Sequence, residues 1–154
     1  MIALRLVRLI EHHSTPLAEG LMHKLDNCEK CSDLRKVPRH EVEERSREIY
    51  QHLSEWLVNK TEADIERTYR RIARRRHEQG VSLSQLYWAM VITKEHLWDY
   101  LIHEGATESP LDLRAGFELI RLMEQFFEAA IYYMSMEYEV CNREQVKQVV
   151  AVAS

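Results

Sequence analysis

The chain has 154 residues, 45% of them hydrophobic and 30% charged, with a formal net charge of −4, 4 Gly and 3 Pro. That length suits one domain with one core. So few turn residues exclude a β-sandwich, barrel or doubly wound sheet. The acidic balance argues against a nucleic-acid binder, and no apolar run reaches the ~20 residues of a membrane span.

The first predicted helix covers about residues 2–26, with Leu6, Leu9, Ile10, His13, Leu17, Leu21 and Leu25 in one apolar row. Its opening MIALRLVRLI lacks a small-residue cleavage site and continues in helical period, so it is not read as a signal peptide. Pro16 removes a backbone bond, so the segment is either one helix kinked near His12, the favoured reading, or two helices with Thr15 capping the second and Pro16 at its first position. Residues 27–38, NCEKCSDLRKVP, read as a loop. A second helix is expected over 39–59, with Val42, Ile49, Leu53, Trp56 and Leu57 inward. Thr61 and Asp64 form a capping-box variant for a third helix ending at Gln79, before the terminator Gly80. Its last turns carry Arg70, Arg71, Arg74, Arg75 and Arg76, which complement the helix dipole and read as a solvated face. Ser82 and Gln85 suggest a second capping box for a fourth helix over 83–104. Leu83, Leu86, Tyr87, Met90, Val91, Leu97, Trp98, Leu101 and Ile102 mark its apolar face. After the loop GATES, Ser109 and Pro110 start a fifth helix of about 30 to 40 residues.

In the fifth helix, Leu119, Leu122, Phe126, Ala129, Tyr133, Met136 and Val140 alternate steps of three and four. A second row runs beside it through Ile120, Met123, Phe127, Ala130 and Met134. The apolar arc is roughly 200° wide, more than one core face needs. The surplus predicts a homodimer, with Leu119, Leu122, Phe126 and Tyr133 at the interface. Residues 1–141 then form the helical sensory and dimerisation domain, and 142–154 a tail or linker.

The chemistry scan finds no enzyme constellation. No Glu is followed by His three residues on, and no His pair is three or four apart, so no metal centre is expected. Cys28 and Cys31 form a lone CxxC with His40 as a third candidate, one ligand short of a structural zinc. Three cysteines are also too few for a disulfide scaffold, which favours a reducing cytoplasm. Four isolated glycines build no phosphate loop. Lys94 falls within the fourth helix's apolar face, where its stem either snorkels to the surface or its charge is met by an ion pair with Glu124 or Glu128. Trp88, His96 and Asp99 lie on that helix's less apolar flank and are the candidate surface for a ligand or partner.

Residues 48–101, with RRRHEQG before VSLSQLYWAMVITKEHLW, and the opening LVRLIEHHSTPLAEGLMHKL resemble the N-terminal domain of RsbRD-like stressosome proteins. The resemblance covers about residues 2–139. It implies a non-enzymatic, dimerising input module of bacterial signalling, without cofactor, with a signalling partner or an output domain. Related regulator domains are globin-like without haem, so an all-α bundle of five antiparallel helices, of globin-like type, is expected. The alternative from another class is a small helical haem- or metal-binding protein using His13, His52 or His96.

Overall fold

The computed structural model describes residues 4–103 and 110–153. The expected GATES loop and the Ser109 cap lie outside them. Among the described residues there are helices and turns and no strand, as the composition requires. The described residues form six α-helices: α1 (Leu4–His12), α2 (Ser14–Asp26), α3 (Arg39–Gln51), α4 (Glu62–Glu78), α5 (Leu83–His103) and α6 (Pro110–Ala153).

The predicted first helix is divided at His13, where the backbone leaves helical geometry at φ −107° and ψ 21°. The His13 amide still reaches the Leu9 and Ile10 carbonyls, so the break is a kink next to the expected place. Pro16 is the third residue of α2, where its missing N–H would have been an orphan anyway. The predicted loop contains 3₁₀ turns over Glu29–Lys36, pinned by a Cys31 that is 1% exposed. The predicted second helix also divides. α3 ends before His52, and a wider π-type turn covers Glu55–Asn59, closed by Lys60 N–H on the Glu55 carbonyl at 2.7 Å.

Local signals work where both partners are close in sequence. Thr61 and Asp64 exchange both bonds of the capping box. Gly80 adopts φ 86°, the left-handed terminator. The second capping box is different. Asp33 accepts from the Ser82 amide at 2.9 Å, while Gln85 turns back to accept from the Asp33 amide. The start of α5 is thus capped by the 3₁₀ segment.

α6 forms the spine. It packs most extensively on α4, while α2 lies on α3 and α5. The core runs along this spine through Leu119, Met123, Phe126, Phe127, Ala130 and Met134, all nearly inaccessible. Phe126 meets Trp56, Tyr69 and Phe127 at ring-centroid separations of 5.5, 5.7 and 5.1 Å. α6 continues as helix through residues 142–153, and every one of them is exposed.

Candidate functional site

The fourth predicted helix buries Leu86, Ala89, Met90, Thr93, Leu97 and Leu101. Tyr87 and Ile102 are 47% and 58% exposed. The inward face is therefore turned toward the small residues Ala89 and Thr93, which the hydrophobic pattern underweights. Lys94 moves from the middle of that face to its edge. Its Nζ lies 3.2 Å from Glu124 on α6, with the two side chains 23% and 28% exposed. Glu128 is exposed and stands apart from this pair.

Trp88, His96 and Asp99 are each engaged within the chain. Lys30 Nζ sits 4.4 Å over the Trp88 ring. Asp99 pairs with Lys24 of α2 at 3.0 Å. His96 Nε2–H donates to the Leu17 carbonyl at 2.9 Å. Its ring lies where a Cβ on Gly20 would come within 3.1 Å, so a side chain at residue 20 would require the His96 ring to shift. Burial, followed by the nearby Lys24 charge, holds the His96 pKa below its ordinary value. His96 Nδ1 has no hydrogen-bond partner among the described residues.

The residues expected at a dimer interface separate into two groups. Leu119 and Phe126 are 0% and 3% exposed and are taken up by the chain's own core, so they are not offered to a second copy. Leu122 and Tyr133 remain half-buried. The Tyr133 hydroxyl donates to Glu62 at 2.8 Å, and that acceptor pushes the phenol pKa up to about 12. The wide apolar arc is used mostly for packing against α4 and the Trp56 turn. Exposed apolar residues occur further along: Val146, Val149 and Val150 are 63%, 64% and 62% exposed. With Ala153 they follow i, i+3, i+4, i+7 spacing.

The arginines of α4 do more than face solvent. Arg70 and Arg74 reach α6, where Glu137 takes Arg70 Nε at 2.9 Å and Arg74 Nη2 at 2.7 Å. Glu137 itself is 6% exposed. Arg75 and Arg76 turn the other way and share Glu41 of α3, at 3.0 Å from Arg75 Nε and 3.1 Å from Arg76 Nη1. Sequence reasoning missed these ties because the acids lie on other helices.

Among the described residues no group of three His, Cys, Asp or Glu side chains could hold an ion. Burial pushes the Cys31 thiol up to about 12, with Cys28 beside it adding to the shift.

An all-α bundle closed by one long helix and tied by interhelical ion pairs is the class of fold these residues define. The family model described as the RsbT co-antagonist protein RsbRD N-terminal domain matches residues 6–149. The chain belongs to that family. No curated protein and no solved structure matches it. No helix among the described residues is long and apolar enough to cross a membrane.

Proposed function

We propose that the chain is a non-enzymatic, homodimeric input module of a bacterial cytoplasmic signalling pathway, relaying a signal to an output domain or partner. The observation that carries this reading is the far end of α6. Beyond Glu144, whose carboxylate is still tied to Arg74 of α4, it presents Val146, Val149, Val150 and Ala153 as one apolar stripe on an exposed helix. Two such helices, paired in parallel, would bury that stripe in coiled-coil fashion. A shift of α6 against α4 within the bundle would then change the pairing outside it. Residues 1–141 would act as the sensing body and 142–154 as the connector.

Light scattering tests the reading. Wild-type protein at tens of micromolar should be a dimer. Val146→Glu combined with Val150→Glu should give a monomer with an unchanged bundle by near-ultraviolet circular dichroism. Monomeric wild type, or a double variant that still dimerises, refutes it.

A further inference from the structure

Beneath the surface between α3 and α4 lies a second feature, independent of the α6 stripe. A cleft of about 280 Å³ is lined by Glu41, Glu44, Arg45, Arg71, Arg75 and Arg76, with Ile72 among them. Four guanidinium groups face two carboxylates. Glu41 is already committed to Arg75 and Arg76. The positive excess therefore falls on Arg45 and Arg71, two exposed side chains on opposite walls. Arg76 is 5% exposed, a guanidinium held almost out of water. Burial lowers its pKa, and the Arg45 and Arg75 charges lower it further, although Glu41 opposes them. An added anion would relieve that crowding.

Arg45, Ile72 and Arg76 also line a smaller, adjoining space of about 60 Å³. Its other walls include Tyr69, Ala89, Met90 and Met134, so it is mostly apolar. A basic mouth thus opens over an apolar interior, with Ile72 and Arg76 at the junction. The interior exceeds the ≳10–15 Å³ that one water requires, but it is far short of a long chain. Methionines on its wall can adjust to a guest.

We propose that this cleft binds a small organic carboxylate, its acid group between Arg45, Arg71 and Arg76 and its short apolar tail directed past Ile72 into the bundle. A guanidinium fork matches a carboxylate in shape and charge. Inorganic phosphate would satisfy the mouth alone and leave the interior unused. The proposal deepens the signalling reading by naming the class of molecule sensed. Its test is made on binding alone, so it can fail without touching the dimer, and a monomeric protein would leave it standing.

The probes are butyrate, acetate, 1-butanol and inorganic phosphate, titrated into the full chain with calorimetry and methyl NMR of Ile72, Met90 and Met134. Butyrate should bind saturably and more tightly than acetate or butanol, shifting all three methyl groups. Arg45→Gln combined with Arg71→Gln alters only exposed side chains and should weaken butyrate by about tenfold or more, as loss of charged hydrogen bonds does. Ala89→Leu fills the interior and should reduce butyrate to the level of acetate while the arginines remain. Ser46, also on the interior wall, offers Ser46→Leu as a second filling variant should the first fail to fold. Absence of saturable butyrate binding overturns the proposal. Equal binding by wild type and the double arginine variant overturns it, as does phosphate or acetate binding as well as butyrate.

Discussion

Replacing Glu137 with Gln tests whether the α4–α6 seam is held by charge. Glu137 Oε1 accepts from Arg70 Nε at 2.9 Å, and Oε2 lies 2.7 Å from Arg74 Nη2. Its side chain is 8% exposed, against 28% and 42% for the two arginines. Gln keeps the shape but offers one acceptor where there were two, and no charge. Breaking a fully buried pair costs ~3–5 kcal/mol, and one charged hydrogen bond is worth ~1.5–3 kcal/mol. The upper range does not apply here. Arg70 keeps Glu66 at 3.0 Å and Arg74 keeps Glu144 at 3.0 Å, and both arginines remain partly hydrated. We expect a loss of about 2 kcal/mol, which for a chain of this size lowers Tm by about 4–8 °C. Urea unfolding should show a lower midpoint with an unchanged slope, since the surface exposed on unfolding is the same. A change within about 0.5 kcal/mol, the range of ordinary surface substitutions, would mean that apolar packing alone holds the seam.

The Lys94–Glu124 pair is partly exposed, so Lys94→Met should cost about 1 kcal/mol or less, with coupling to Glu124→Gln and none to Glu128→Gln. A double-mutant cycle by denaturant midpoint measures this, and zero coupling to Glu124 would show that the contact contributes nothing. Glu41 carries a pH signature. Arg75, then Gln79, hold its carboxyl down to about 2 in the folded chain. A folded pKa below the unfolded value gives stability that is complete above the unfolded pKa and lost as pH falls toward the folded one. Wild type should therefore lose more stability than Glu41→Gln between pH values of about 4.5 and 2. Parallel pH–stability curves for the two proteins across that window would contradict the assignment.

How legible the molecule is in its sequence depends on the range of the interaction. Thr61 finds Asp64 three residues on, and Gly80 needs only its own backbone freedom, so both helix ends can be read directly. The cap of α5 cannot, because Asp33 reaches Ser82 from the far side of two helices. The apolar face of α5 is misjudged by periodicity because Ala89 and Thr93 pack well while scoring poorly. The wide arc on α6 reveals a surplus of apolar surface. It does not reveal that Trp56 and Tyr69 cover Phe126, because that requires knowing the tertiary partners. The arginine cleft is hidden for the same reason. Arg45 and Arg71 are 26 positions apart in the chain and meet only once α3 lies against α4.

The free end of α6 has a consequence for cooperativity. A stretch of twelve residues is marginal as an isolated helix, because its first turn must be nucleated against unfavourable odds of ~10⁻³. Here the bundle supplies the nucleus, and residues 142–153 need only propagate it. Four of those residues, Val146, Val149, Val150 and Val152, are β-branched and exposed, which makes each added turn close to neutral in water. The segment's helix therefore rests on the bundle that starts it rather than on its own length. A small gain from contact along its length, repeated at every turn, multiplies into a large change in how far the helix extends.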